Sequence, residues 1–499
     1  MCNHYNKTQR YRRFSLEEQK TEGQRLAEKL TFEIKSCWET IEEKDRDAVA
    51  EFAEQYKKFI DKGKTEREFN AECLSILKEE GFIDIETALS RGKKLKAGDK
   101  VYQNNRGKSL VFAAVGRASI KEGMNIVGAH IDSPRIDLKT NPLYEDGGFA
   151  IFDTHYYGGI KHYQWTTIPL AMHGVVFNKN GEKQTVCVGE KEGDPVFVIT
   201  DLLPHLAQDQ MQKKANEFVR GEELDVIAGS EPFKDEKVKE KVKLTILNLL
   251  HHTYGVVEEN FASAEIEFVP AYRSRDVGLD RSLIGAYGHD DRCCAYTAFR
   301  AALERAGAGG RSGIPEKTAV CLLTDKEEIG SMGNTGAQSR FFENFIAYLC
   351  SQSVENYSDI DLRLALNRSA MLSADVNAAY DPNFGDVFDK KTASYCGKGL
   401  ALSKYTGARG KVGGSDANAE FLQKVQAILD KHGVRWQFGN LGKVDKGGGG
   451  TIAQYAANLG VDALDCGIPV LSMHAPFEVI SKIDLWTAYR GYAAFLKDA

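Results

Sequence analysis

The chain has 499 residues, 42% hydrophobic and 27% charged, enough to bury a large core and more than one domain. Its net charge of -6, with both signs mixed along the sequence, provides no electrostatic footprint for nucleic acid or an anionic membrane, so neither is expected as a partner. The longest apolar runs, such as Val111 to Val115 and Ala319 to Leu323, are too short to span a bilayer.

At the N-terminus, Met1 to Phe14 is polar and basic through Lys7, Arg10, Arg12 and Arg13, and no apolar core of signal-peptide length follows it. The ten cysteines are scattered without a CxxC and read as reduced thiols, the adjacent Cys293 and Cys294 as small buried hydrophobes. These features set the expectation of a cytoplasmic protein.

From about Ser15 to Glu80 the sequence is charged and helical in period, with Leu26, Leu30 and Ile34 and then Phe52, Tyr56 and Phe59 spaced for one face. Val101 to Gly116, with a turn at Asn104 to Gly107, and Met124 to Ile131 read as strands. Between Leu143 and Asp280 the texture changes to short strands and turns, among them Gly174 to Val188 folded about Asn180-Gly181 and the alternating Ala264 to Val269. Beyond it a helical stretch, Arg292 to Ala306, alternates with apolar strands at Thr318 to Thr324, Ala370 to Ala374 and Val470 to Met473. The expected architecture is α/β, a mixed sheet sandwiched by helices with an inserted, mainly β second domain. Residues 1–142 and 281–499 form the two parts of the first domain and 143–280 the insertion.

Five clusters of hard or borderline metal ligands each follow an apolar segment that reads as a strand: His130 and Asp132; His289, Asp290 and Asp291; Glu327 and Glu328; Asp375; and His474. Each alone is weak, but strand ends are where an α/β sheet assembles a site, and their ligands can converge on one edge. Imidazoles and carboxylates without thiolates suit a pair of catalytic zinc, cobalt or manganese ions rather than a structural zinc.

The motifs Gly128-Ala129-His130-Ile131-Asp132-Ser133-Pro134, Asp325-Lys326-Glu327-Glu328-Ile329-Gly330-Ser331, Ser373-Ala374-Asp375, Gly450-Thr451-Ile452 and Cys466 to His474 are similar to those of the aspartyl aminopeptidase and vacuolar aminopeptidase I family of dinuclear zinc metallopeptidases. The resemblance runs through most of the chain. It implies a metalloaminopeptidase acting on peptides with acidic or neutral N-terminal residues. His130 and Asp375 would bind one ion, Glu328 and His474 the other, with Asp290 bridging and Glu327 as general base. Asp132 would orient His130 from behind. Either Asp290 or Asp291 could bridge; the family pattern, in which the bridging aspartate is followed by Asp or Asn, favours Asp290. His289 is given no metal role.

The resemblance also implies that the insertion pairs subunits and helps build a homo-oligomer, dimers assembling into a hollow dodecamer. Tyr157-Gly158-Gly159 and Trp165 match a loop that in the family reaches toward a partner's active site. Departures lie nearby. Thr166-Thr167-Ile168-Pro169 stands where acidic-specific members carry Phe-Asp-Arg-Asp, and Ala378 and Asp381 replace histidines expected after Asp375. Ser403 takes the place of a lysine, while the family arginine falls on Arg409, a substrate-binding candidate. The run Gly447 to Gly450 lacks the GK[ST] of a phosphate loop and reads instead as backbone that offers amides near the substrate. The alternatives are a dinuclear deacylase or carboxypeptidase, which needs no free α-amine, and a non-catalytic shell-forming assembly protein.

Overall fold

The computed structural model describes residues 20–307 and 313–499. The basic arm and the start of the first helical stretch, Met1 to Gln19, lie outside the described residues. Residues 36–499 form one unit; the other, from Met1 to Lys35, carries a helix at Glu22–Leu30 with a capping box between Thr21 and Gln24.

Among the described residues of the larger unit, strands form three sheets. The nine-stranded sheet runs in the order Ile83–Asp84, Lys100–Asn105, Ser109–Ala114, Thr318–Thr324, Met124–His130, Ala370–Ser373, Asp462–Gly467, Leu400–Ser403, Trp436–Phe438. Its centre is parallel: Met124–His130 lies between Thr318–Thr324 and Ala370–Ser373, in register at Thr324 with His130 and at Ser373 with Gly128. Strand Met124–His130 is buried along its whole length because both faces are covered. Val127 and Ala129 pack on one side with helices Glu43–Ile60, Glu66–Glu79, His289–Arg305 and Lys482–Asp498. Met124 and Ile126 face the other side, with helices Phe341–Ser353 and Asp359–Asn367. The expected turn near Asn104 to Gly107 is made by Arg106 and Gly107, at φ +58° and +71°, which join antiparallel strands as a primed hairpin does.

The second sheet has six strands, ordered Lys183–Val188, Leu170–Phe177, Glu265–Pro270, Arg135–Asp146, Phe149–Tyr157, Val226–Gly229, with antiparallel pairing throughout. It has its own core around Phe152, Trp165 and Phe268. The helix Lys241–Tyr254 packs into that core through Ile246, Leu247 and Leu250, an element that the reading of this region as short strands and turns did not contain.

The third sheet, of five short strands, is ordered Arg275–Val277, Leu283–Ala286, Glu478–Ser481, Pro469–Leu471, Asn377–Ala378. The segment Val470 to Met473 therefore belongs to a sheet separate from Thr318–Thr324 and Ala370–Ser373. No helix among the described residues is long and apolar enough to cross a membrane.

Candidate metal centre

Two sheets deliver the site. His130 ends a strand of the nine-stranded sheet, Asp375 lies two residues past Ala370–Ser373, and the single turn Glu327–Ile329 follows Thr318–Thr324. All three come off the same end of parallel strands, where an α/β sheet opens a crevice. Asp290 follows Leu283–Ala286 and His474 follows Pro469–Leu471, both in the five-stranded sheet, rather than from the same sheet edge. Lys326 and His474 hold φ of +67° and +65°, a left-handed backbone that costs a non-glycine residue free energy and that clusters at functional sites.

Side chains from these five places meet. The Nε2 of His130 is 3.3 Å from Oδ1 of Asp290 and 3.8 Å from Oδ1 of Asp375. The Nε2 of His474 is 3.2 Å from Oδ2 of Asp290 and 3.5 Å from Oε2 of Glu328. Asp290 thus turns one oxygen toward each imidazole. Asp291 meets His130 at a different atom: its Oδ2 accepts the His130 backbone N–H at 3.4 Å, and its buried Oδ1 has no hydrogen-bond partner. Glu327 lines the cavity beside them.

Asp132, fully buried, stands behind the turn and the first imidazole. Its Oδ1 accepts the N–H of Glu327 at 3.1 Å and its Oδ2 that of Glu328 at 3.2 Å. The Nδ1 of His130 lies 3.1 Å from the Asp132 carbonyl oxygen and 3.3 Å from Oδ1. The Nδ1 of His474 donates to the carbonyl of Gly159 at 2.8 Å. Both rings are therefore held from behind with Nε2 directed into the site. His289 is occupied elsewhere, between the Tyr56 hydroxyl at 2.7 Å and the Ile284 carbonyl at 3.1 Å, and burial lowers its pKa to about 3.

Glu478 is a residue that no motif singled out. Its carboxylate, 1% exposed, accepts the N–H of Asp290 at 2.9 Å and of His474 at 2.7 Å, and so pins the backbones of both. Only its place opposite Ala286 in the five-stranded sheet reveals this.

Burial raises the pKa of three of the acids gathered here, Glu328 and Asp375 well above the usual carboxylate range and Glu327 to about 7, whereas Asp290, between His130 and His474, is held below that range against its burial. His130 is shifted upward despite its burial, because Asp132 and Asp290 face it. Four carboxylates and two imidazoles crowded together suit divalent cations, and the buried Oε1 of Glu328, without a protein hydrogen-bond partner, is a free donor of the right kind. Donor atoms of His130, Asp290 and Glu328 lie within 4.8 Å of one another, as do those of His130, Asp291 and Asp375. Glu68, His173 and Cys187 also satisfy that spacing away from the site, but there the ion pair of Lys64 with Glu190 at 2.6 Å already supplies a cation.

These side chains open on a cavity of about 470 Å³, lined also by Asn377, Ser403, Tyr405, Arg409 and the backbone of Gly447 to Gly450. Ser403 donates to the Gly439 carbonyl and accepts from Asn377, so its hydroxyl is engaged. Trp165 does not reach outward; it is fully buried in the second core, edge-on to Tyr287. Tyr157 and Gly159 touch Asp132 and His474 of their own chain, where the sequence pointed to a partner's site.

A family model described as aminopeptidase I zinc metalloprotease (M18) matches residues 59–496. A probable M18 family aminopeptidase 1 of Clostridium acetobutylicum is 49% identical over 94% of this chain and 99% of its own length. The crystal structure of an M18 family aminopeptidase from Thermotoga maritima superposes with a TM-score of 0.87 at 45% identity, covering 94% of this chain and all of that one. The mApe1 dodecamer of S. cerevisiae shares the fold at a TM-score of 0.71 and 21% identity, over 89% of this chain and 96% of that one.

Proposed function

The chain belongs to the M18 family of zinc metalloproteases and is a metalloaminopeptidase, and from that premise we propose how its residues divide the work. His130 and Asp375 would hold one divalent cation and Glu328 and His474 a second, with Asp290 shared between the two pairs. The observation that carries this reading is Asp290 itself, with one oxygen 3.3 Å from one imidazole and the other 3.2 Å from the second. Two zinc ions fit best, with cobalt or manganese as substitutes. When bound, such ions supply Lewis acidity that lowers the pKa of the attacking water and polarises the scissile carbonyl.

Glu327 is the general base: its carboxylate takes the proton of the attacking water and returns it to the nitrogen of the leaving amine. Asp132 acts behind it, holding the backbone of the Glu327-Glu328 turn and the ring of His130 in place. The cavity receives the N-terminal residue of a peptide. With the small, already bonded Ser403 at the lysine position and Arg409 retained in the lining, acidic and neutral side chains are both accommodated. The deacylase, carboxypeptidase and shell-protein readings give way to the aminopeptidase.

We further propose residues 143–280 as a dimerisation and lid domain inserted between the two parts of the catalytic domain, 1–142 and 281–499, dimers that assemble into a dodecamer, and a cytoplasmic location. The likeness to a chain solved as a dodecamer supports the assembly; light scattering on the purified protein tests it.

The catalytic reading is tested by hydrolysis of Asp, Glu, Leu, Lys and N-acetylated aminoacyl substrates with metal-stripped protein reloaded with zinc, cobalt or manganese. Metal-dependent cleavage of free-amine substrates alone is expected. Cleavage of the acetylated control, or no cleavage under any metal, would contradict it. Arg409→Ala should raise KM for Asp and Glu substrates more than for Leu; an equal effect on both removes Arg409 from substrate binding.

A further inference from the structure

Strands Arg135–Asp146 and Phe149–Tyr157 of the six-stranded sheet are paired antiparallel with Arg135 opposite Tyr157. The Arg135 guanidinium lies 3.9 Å over the Tyr157 ring. That guanidinium is itself fixed by Asp137 at 2.8 Å, Glu267 at 3.2 Å and Glu66 at 3.4 Å. The ring is thus clamped from one face, and its hydroxyl donates to Oδ2 of Asp132 at 2.9 Å. The same carboxylate accepts the backbone N–H groups of Glu327 and Glu328 and faces the Nδ1 of His130.

The next two residues continue the contact. Gly158 has φ +78°, and a Cβ there would stand 3.3 Å from Pro134 and 3.4 Å from the Cβ of Glu328. A side chain at Gly158 would thus be both strained and crowded. Gly159 accepts the Nδ1–H of His474 through its carbonyl at 2.8 Å. Three consecutive residues at the end of one strand therefore rest on Asp132, Glu328 and His474.

We infer that Tyr157-Gly158-Gly159 is a strap by which the six-stranded sheet sets the geometry of its own chain's metal centre, with Tyr157 as a positioning residue acting through Asp132. The inference rests on the ligand assignment proposed above. Nothing in the strap touches the reacting atoms; it fixes the direction in which both imidazoles and the glutamate turn point. Without the Tyr157 hydroxyl, Asp132, fully buried, loses a donor and is free to rotate away from the two backbone amides and the ring it holds.

The test uses the zinc-loaded enzyme and Tyr157→Phe, which keeps the ring under Arg135 and removes only the hydroxyl, with Gly158→Ala as a second variant. Zinc affinity is measured by competition with a chromophoric chelator, alongside kcat, KM and the thermal midpoint. Tyr157→Phe should lower zinc affinity by about 10-fold or more and lower kcat, with KM within about two-fold of wild type. Gly158→Ala should lower zinc affinity in the same direction.

Zinc affinity and kcat within about two-fold of wild type in Tyr157→Phe would overturn the inference, as would a lowered thermal midpoint alone, which marks a contact that only joins the sheets. A wild-type protein that takes up no zinc in the same competition would overturn the ligand assignment, and the strap with it.

Discussion

Glu478→Gln is the sharpest way to ask whether the five-stranded sheet works as part of the metal centre. The wild-type carboxylate offers an oxygen to each of two backbone N–H groups, those of Asp290 at 2.9 Å and His474 at 2.7 Å, in a place that is 1% exposed. Glutamine has a single oxygen. Its NH2 group must face one of the two N–H groups, and two donors then meet with water excluded. Leaving one buried donor without an acceptor costs about 1–3 kcal/mol. The structure relieves the clash only by moving Asp290 or His474, so the cost falls on metal binding, where 1–3 kcal/mol corresponds to about 5- to 150-fold in affinity. Zinc competition titration of the variant against wild type reads the affinity, and urea unfolding of both holoproteins reads what remains as lost stability. Unchanged affinity together with an unchanged urea midpoint would show that no buried donor is stranded and that Glu478 does not hold Asp290 and His474 in place.

Aspartates 290 and 291 are separable in the same way. Asp290→Asn should leave the protein with fewer than two zinc ions per subunit by elemental analysis after dialysis, while Asp291→Asn keeps both; the reverse pattern would assign the bridge to Asp291. Away from the site, His173 is held between Glu68 at 2.7 Å and Glu190 at 3.1 Å. Burial pulls its pKa down, but Cys187 and these two carboxylates outweigh it and hold the ring at about 11, against 6.5 for a free imidazole. A raised folded-state pKa gives stability that is complete below the unfolded value and is lost as pH rises through the folded one. The difference in unfolding free energy between wild type and His173→Gln should be largest near pH 6 and shrink steadily toward pH 10. A difference that grows over that range would contradict the charged pairing.

The proposed site was legible in the sequence as far as its candidate residues lie next to strands. His130, Glu327, Glu328 and Asp375 each sit at or just past the carboxyl end of a parallel, fully buried strand, whose continuous apolar run marks its end clearly. Asp290 and His474 carried similar local signals, but they come from strands of four and three residues in a separate sheet, and nothing local distinguishes so short a strand of one sheet from one of another. Glu478 was invisible because a single glutamate opening a strand has no pattern; its two amide partners are brought to it by pairing with Leu283–Ala286 and by the tight turn at His474.

The helix Lys241–Tyr254 was missed for a different reason. Its run of Val242, Leu244, Ile246, Leu247, Leu249 and Leu250 lies within a region of strand-like texture, and the β-branched residues weaken its helical signal. Tertiary packing against the six-stranded sheet, through Ile246, Leu247 and Leu250, stabilises it there. The contacts of Tyr157 and Gly159 with their own chain's site needed the backbone path as well, since the family resemblance pointed them toward a partner's site and only the path of the chain brings them onto Asp132 and His474 of the same copy.

If Glu327 moves the proton while its neighbours hold the ions, Glu327→Gln separates the two roles. The substitution preserves shape and removes basicity. The variant should keep two zinc ions per subunit, as in wild type, with KM little changed and kcat lower by about 10²- to 10⁴-fold. A variant that keeps its zinc and still turns over within about 10-fold of wild type would remove Glu327 from the role of general base.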